Sequence, residues 1–192
     1  MIYSGVLSAI VSALAAETID NTSKQAWQKL YRPGHKDGLD LATLMRSGGQ
    51  EGISRTDADC WVFARLHSQL KPRHWDALVA KYSTHKARKV ESIGRLVPLV
   101  ASPAPRLFVA KAVTAWAIPQ LRGVDGKRST DMIVLPKAFY DMNGWDLDGR
   151  PESTRREWRR NIQRVLDEMV SEAVGAAAEV LEREGVLLDM AA

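Results

Sequence analysis

The sequence predicts a mainly α-helical protein, with a compact helical body, helix-turn-helix-like units and a long C-terminal helix. Apolar residues recur at three- and four-residue spacing through most of the 192-residue chain, which is the pattern of amphipathic helices. Regular alternation of apolar and polar residues, the pattern of half-buried strands, is hard to find. Proline, glycine, serine and threonine separate the apolar stretches where helices begin and end. With 45% apolar residues, the chain can bury one ordinary core or two small lobes that share an interface.

The first predicted region, residues 1–70, is helical. An apolar helix is expected over residues 2–17, and its start lacks the Lys or Arg that precedes the apolar run of a secretory signal. The run is also shorter than the roughly 20 residues that a membrane helix needs, so we expect neither secretion nor a membrane partner. Three further helices are predicted here: one through Trp27 and Leu30, one from Leu39 to Arg46, and one from Ser54 to Leu70.

The second predicted region, residues 71–130, is a basic helix-turn-helix-like region followed by a core helix. Pro72 suits the first turn of a helix, and Ser83-Thr84 is a turn and N-cap signal for the next one. That second helix meets Pro98, which cannot continue it. The stretch from Leu107 to Ile118 is apolar on several sides, which indicates a buried core helix.

The third predicted region, residues 131–192, is an Arg-rich helix-turn-helix-like region with a long helix whose end is acidic. Met132 to Leu135 is the best strand candidate in the chain, and Pro136 to Met142 is expected to be a short helix. The longest helix is predicted from Pro151 to about Glu184. Gly185 follows it and suits the left-handed backbone that ends many helices.

Charge is distributed unevenly along the chain, although its net value is only +4. Residues 71–130 carry 12 basic and 3 acidic side chains, whereas residues 165–192 carry 1 basic and 7 acidic. A concentrated positive field attracts polyanions such as nucleic acids. The acidic end also carries an apolar stripe, which we expect to pack against the body of the protein or against a second copy of the chain.

Residues 72–97 are interpreted as the first helix-turn-helix unit, in which a supporting helix holds a second helix against DNA. Ala80 allows close helix approach, while Thr84 stands where such turns often use glycine. Val90 and Ile93 are expected to anchor the second helix on the core. The basic residues that then point outward are Lys86, Arg88, Lys89 and Arg95. The alternative interpretation is a pair of packed helices with a solvated basic face.

Residues 136–169 are interpreted as the second unit. Its long helix holds five arginines over ten positions, and such side chains bind phosphate or guanine: Arg155, Arg156, Arg159, Arg160 and Arg164. Helical spacing predicts one buried stripe, made of Trp158, Ile162, Val165, Leu166 and Met169. The backbone N–H groups near Ser153 and Thr154 are expected to face a phosphate. The alternative is an Arg-rich surface neutralised by Glu152, Glu157, Asp167 and Glu168.

Motifs of catalysis and metal binding are not found. The four histidines lack the HExxH spacing, Gly48-Gly49 lacks the Lys-Ser/Thr ending of a phosphate loop, and no G-x-S-x-G elbow occurs. Asp141, Asp146 and Asp148 resemble a metal loop, but the distal Glu of a calcium loop is missing, so we interpret them as turn caps. The single Cys60 cannot form an internal disulfide, which suits the cytoplasm. We therefore predict a protein that is not an enzyme and needs no cofactor or metal.

The stretch from Leu70 to Tyr82, LKPRHWDALVAKY, resembles an opening found in phage late-gene antitermination proteins of the Q type and their prophage-derived relatives. In those proteins, as here, a Leu is followed by a polar first turn and then by a Leu and a Tyr one helical turn apart. The basic helix that follows and the Arg-rich segment Ser153–Arg164 are similar in kind, so the resemblance covers about residues 55–170. Lambda-type members carry a cysteine zinc site, and with Cys60 alone this chain resembles the zinc-free members.

The resemblance implies a transcription antitermination factor. Such proteins bind a DNA element near a promoter, engage paused RNA polymerase with its sigma factor, and hinder terminator hairpins by narrowing the RNA exit channel. The residues then expected to contact double-stranded DNA are Lys86, Arg88, Lys89, Arg155, Arg156, Arg159 and Arg160. Two alternatives stay open: a DNA-binding repressor or phage packaging adaptor, and a metal-dependent nuclease that uses the three aspartates between Asp141 and Asp148.

Overall fold

In the computed structural model, helices hold most of the residues that the structure describes, which are 3–16, 55–120 and 133–187. The six α-helices in these ranges are α1 (Val6–Ala16), α2 (Arg55–Gln69), α3 (Pro72–Tyr82), α4 (Lys86–Leu96), α5 (Arg106–Ala117) and α6 (Glu152–Arg183). Three short 3-10 helices span Val97–Leu99, Lys137–Tyr140 and Met142–Gly144. The predicted mainly α class and the long C-terminal helix are confirmed. None of the helices in these ranges combines the length and the apolar character that crossing a membrane requires.

The chain divides into two compact units. The first unit consists of Met1–Lys71 and Ala173–Ala192, and the second of Pro72–Glu172. Helix α6 supplies residues to both units, since its first 21 positions, from Glu152 to Glu172, belong to the second.

In the first unit, α1 packs against α2, because small and apolar side chains on both helices face each other. The hydroxyl of Tyr3 donates a hydrogen bond to the carboxylate of Asp59 at 2.5 Å, and both residues are buried. Burial, followed by the Asp59 hydrogen bond and charge, raises the pKa of Tyr3. The largest fully buried side chains of this unit are Ile10, Leu14, Val62, Leu66 and Leu181.

The end of α6 is fixed by a glycine in the left-handed conformation. Gly185 has φ 66°, its N–H bonds to the carbonyl of Glu182, and the N–H of Val186 bonds to the carbonyl of Leu181, both at 3.0 Å. This pair of bonds is a Schellman motif, and the buried Val186 and Leu181 supply its apolar ends. The stop predicted at Gly185 is confirmed.

In the second unit, α3 packs against α4, and α5 packs against both. The predicted core helix is confirmed as α5, whose buried residues include Val113 and Trp116. The indole Nε1 of Trp116 donates to Asp167 of α6 at 2.8 Å, which ties the long helix to the core helix. The largest fully buried side chains of this unit are Leu78, Leu96, Phe108, Trp145, Ile162 and Leu166.

The segment before α6 differs from its prediction. Residues 133–136 have no regular secondary structure, so the strand predicted at Met132–Leu135 is wrong over its described part. The described residues contain no second strand that could pair with it. The short helix predicted over 136–142 is a 3-10 helix, Lys137–Tyr140, which stops as Asp141 caps the next turn through the N–H of Asn143. The helices predicted through Trp27 and from Leu39 to Arg46 lie outside the described residues.

Candidate nucleic-acid interface

Helices α3 and α4 form a helix-turn-helix unit with a connection of three residues, Ser83 to His85. Ser83 is buried, and its hydroxyl accepts a hydrogen bond from the N–H of His85 at 3.1 Å. His85 has extended backbone and is the N-cap of α4, because its ring Nδ1 accepts from the N–H of Arg88 at 3.4 Å. The turn predicted at Ser83-Thr84 is therefore confirmed, although a histidine does the capping.

Lys89 points from α4 into the C-terminal end of α3. Its ammonium group donates to the carbonyls of Ala80 at 2.6 Å, Lys81 at 3.2 Å and Ser83 at 3.4 Å. The C-terminal end of a helix leaves such carbonyls without partners inside the helix, and the negative end of the helix dipole there stabilises a cation. Burial, and secondly the charge of Lys81, lower the pKa of Lys89 to about 8. The outward direction predicted for Lys89, one of the expected DNA contacts, is wrong, because its ammonium group donates to these carbonyls.

A second polar contact joins the same two helices. The hydroxyl of Ser92 on α4 donates to Asp76 of α3 at 2.9 Å, and both residues are buried. Arg95 extends this contact from the surface, since its guanidinium lies 3.4 Å from the same Asp76 oxygen and also pairs with Glu91. The buried carboxylate of Asp76 is thus matched by a hydroxyl and a cation.

These contacts fix the rotation of α4 about its axis. Its inner face consists of Lys89, Ser92, Ile93 and Leu96. Ile93 is the anchor that the sequence predicted, but Val90 is 56% exposed, so its predicted anchoring role is wrong. The reason is that polar residues, Lys89 and Ser92, occupy the inward positions beside Ile93 where an apolar residue was expected.

The exposed side of α4 carries two small residues, a valine and a glutamate. We call Ala87, Val90, Glu91 and Gly94, which are all exposed and lie at spacing i, i+3, i+4, i+7, the α4 outer face. Lys86 is exposed and Arg88 half-buried, and both lie in the first turn of α4. A recognition helix presents its N-terminal residues to DNA in this way.

The arginines at the start of α6 are mostly engaged within the protein. Arg156 pairs with Glu152 at 2.6 Å and Arg164 with Glu168 at 2.9 Å, which agrees with the neutralised surface left open as an alternative. The guanidinium of Arg159 lies 5.6 Å from the ring centre of Trp145, and Arg155 is half-buried with no hydrogen-bond partner for its Nε among the described residues. The side chain of Arg160 is exposed and forms no ion pair or hydrogen bond with the other described residues.

An aromatic cluster holds the start of α6 against α5. The ring of Phe108 meets Trp145 edge-on at 5.4 Å and Trp158 at 5.5 Å, measured between ring centres. The predicted buried stripe is confirmed for Ile162 and Leu166, whereas Trp158, Val165 and Met169 are only half-buried. The guanidinium of Arg150 lies over the ring of Trp158, 5.2 Å from its centre.

The aspartates of the proposed metal loop have a structural role. Asp146 is buried, and its carboxylate accepts from the N–H groups of Asp148 at 3.3 Å and Arg150 at 2.8 Å and from the Arg150 guanidinium at 3.2 Å. The turn-capping interpretation is therefore confirmed for Asp146. Over the described ranges, no three His, Cys, Asp or Glu side chains lie close enough together to hold a metal ion.

Sequence reasoning missed the inward role of Lys89, although a signal for it was present. Lys89, Ile93 and Leu96 follow each other at the i, i+4, i+7 spacing of one helix face, and the unit's turn lies just before them. A lysine on an apolar face beside a helix end is placed to cap that end. When the chain is compared with protein-family models, with curated proteins and with solved structures, none of them matches it.

Proposed function

We propose that this protein binds double-stranded DNA and regulates transcription, with α4 as the helix that enters the major groove. The observation that carries the proposal is the fixed rotation of α4, which directs Lys89 and Ser92 inward and the α4 outer face to solvent. A recognition helix needs both properties, because a helix free to rotate could not present one set of side chains to base edges.

The charges around α4 suit a polyanion. Lys86 and Arg88 lie in its first turn, next to the outer face, where a helix that enters the major groove passes the phosphates. On α6, Arg160 and the highly exposed Arg156 are secondary phosphate contacts in this proposal. Arg159 lies over the Trp145 ring and Lys89 caps α3, so neither is assigned to DNA here, whereas the half-buried Arg155 stays a predicted contact.

The finer proposal is transcription antitermination in the cytoplasm. It rests on the resemblance of the Leu70–Tyr82 segment to Q-type antitermination proteins, and this segment contains the whole of α3, the helix that supports α4. On this proposal the protein binds DNA near a promoter and associates with RNA polymerase and its sigma factor. The polymerase then continues transcription past terminators.

DNA binding is tested by a salt titration with a fluorescent duplex from the promoter upstream of the protein's own gene. Neutralised phosphates give a negative slope of log affinity against log salt, so the double variant Lys86→Gln with Arg88→Gln should reduce that slope by about 2. The matched control is Arg106→Gln with Lys137→Gln, which removes two exposed charges elsewhere in the second unit. Equal slopes for both double variants would refute α4 as the contact element.

Antitermination is tested separately, by transcription in vitro with purified RNA polymerase and the same promoter followed by a terminator. Added protein should raise the fraction of transcripts that pass the terminator, and the Lys86 and Arg88 variant should lose that effect. DNA binding without read-through would contradict antitermination and would favour a repressor or packaging adaptor.

A further inference from the structure

We infer that α4 reads thymine methyl groups in the major groove through Val90, with Gly94 leaving room for the approach of the DNA. This inference rests on the proposed DNA binding and adds the chemistry of recognition. Its starting point is the exposure of Val90, which is 56% accessible in the middle of a helix whose inner face is settled by other residues.

The neighbours of Val90 make this chemistry specific. Ala87 stands one turn before it and Gly94 one turn after it, so the middle of the α4 outer face has no side-chain hydrogen-bond donor. Guanine is read by Arg or Lys and adenine by Asn or Gln, whereas the methyl group of thymine is read by an apolar side chain. Among these contacts, the methyl groups of Val90 and Ala87 offer only the last.

The charges along α4 orient the helix on the duplex. Its carboxylate lies on the α4 outer face and pairs with Arg95, which is itself tied to Asp76. A carboxylate is repelled by phosphates, while Lys86 and Arg88 in the first turn attract them. The first turn of α4 therefore lies nearest to the phosphates, and Glu91, whose charge is balanced by Arg95, does not keep the duplex from Val90 and Gly94.

Gly94 adds a second feature to the α4 outer face. Its φ is not in the left-handed range, and a Cβ built at this position meets no described residue within 4 Å. A glycine inside a helix destabilises it relative to alanine. On this inference the missing side chain lets a partner approach the backbone of α4, and the basic Lys86 and Arg88 in the first turn favour a polyanion as that partner.

The test replaces thymines by uracils in the promoter duplex used for the salt titration, which removes the methyl groups and nothing else. At the recognised positions, the replacement should weaken binding of the unaltered protein about fourfold for each lost methyl contact. The Val90→Ala variant should bind the thymine duplex more weakly than the unaltered protein does. It should also have the same affinity for the thymine duplex and the uracil duplex. The matched control is Val134→Ala, since Val134 is a similarly exposed valine outside α4 and should keep the full thymine preference.

The outcomes separate the inference from the proposed function. If the unaltered protein showed no salt-dependent binding to the duplex, the proposed function and the inference would be refuted together. Binding that persists but ignores the uracil replacement, or a Val90→Ala variant that keeps the thymine preference, would overturn the inference alone. If Val90→Ala binds the duplex normally and loses RNA polymerase instead, the α4 outer face is a protein-docking surface and the inference is wrong.

A second variant tests the space at Gly94. Gly94→Ala removes a helix-destabilising residue without a clash, so the melting temperature should rise by about 2–4 °C. Binding to the promoter duplex should fall several-fold, because the added methyl group occupies the space left for the DNA. A more stable variant with undiminished affinity would overturn the close approach at this position.

Discussion

The joint between α3 and α4 and the joint between α5 and the start of α6 are built from opposite chemistry. In the first, Lys89 caps three carbonyls and Ser92 bonds to the buried Asp76. In the second, the ring of Phe108 forms edge-to-face contacts with the rings of Trp145 and Trp158. Hydrogen bonds are directional, whereas burial of apolar surface is not, so the polar joint sets the rotation of a helix more strictly than the aromatic joint does.

The stability of the second unit and the orientation of α4 depend on different joints. Aromatic side chains bury large areas and supply a large part of the free energy of folding. The polar contacts of α4 contribute less energy, since a hydrogen bond in a folded protein is worth about 1 kcal/mol net. They nevertheless decide that Val90 faces solvent and Lys89 does not. If function resides on α4, the energetically weaker joint is the one that function depends on.

The largest expected effect is on the aromatic joint. Phe108→Ala removes a ring that is fully buried between two tryptophans, and we expect the free energy of unfolding to fall by about 3–5 kcal/mol. Urea denaturation followed by circular dichroism measures this change. The control is the neighbouring Leu107→Ala, because Leu107 is 42% exposed and should cost well under half as much. Equal losses would mean that the aromatic cluster is not the main support of α5 and α6.

The polar joint should be broken by Lys89→Met, which keeps an unbranched side chain but removes the ammonium group. Three carbonyls near the end of α3 then lose their donor, and we expect a loss of about 1–3 kcal/mol in the free energy of unfolding. Lys86→Met makes the same change of charge at an exposed position and should stay within about 0.5 kcal/mol. If the two variants unfold at the same urea concentration, Lys89 does not hold α4.

The pH dependence of stability sharpens the same point. Lys89 has a pKa of about 8 in the folded protein and its ordinary 10.5 when unfolded, so between these values the unfolded chain binds more protons. Stability that depends on Lys89 therefore rises with pH through this window and is lost as pH falls towards 8. We expect the gap in unfolding free energy between the unaltered protein and Lys89→Met to be wider at pH 10 than at pH 7. Parallel profiles would show that burial does not lower the pKa of Lys89.

The two joints also differ in how well the sequence predicts them. For α6 the apolar spacing predicts the buried Ile162 and Leu166, and Gly185 predicts the helix end, because apolar periodicity and helix-ending glycines are local signals. For α4 the same reasoning chooses Val90 as an anchor and directs Lys89 outward, since it assumes that apolar residues lie inside. That assumption fails where a neighbouring helix end supplies buried acceptors.

Pairing partners are the other part that the sequence does not determine. The arginines on α6 are visible in the sequence, but whether Arg156 lies beside Glu152 or a phosphate depends on side-chain rotamers and tertiary packing. The same holds for Asp146, whose carboxylate takes two backbone N–H groups and the Arg150 guanidinium. Residue type limits the chemistry of a site, and only the fold decides which groups are left for a ligand.

The smallest effect on stability is expected from Arg156→Ala combined with Arg160→Ala. Arg156 forms an exposed pair with Glu152 one turn away and Arg160 has no partner among the described residues, so the loss should be about 0.5 kcal/mol or less. Binding to the promoter duplex should weaken by a similar factor for all sequences, with a salt slope reduced by 1–2, because phosphates carry no sequence information. Val90→Ala, in contrast, should change sequence preference and leave the salt slope alone. If the double variant binds DNA with unchanged affinity and slope, the start of α6 lies outside the interface and α4 alone makes the contact.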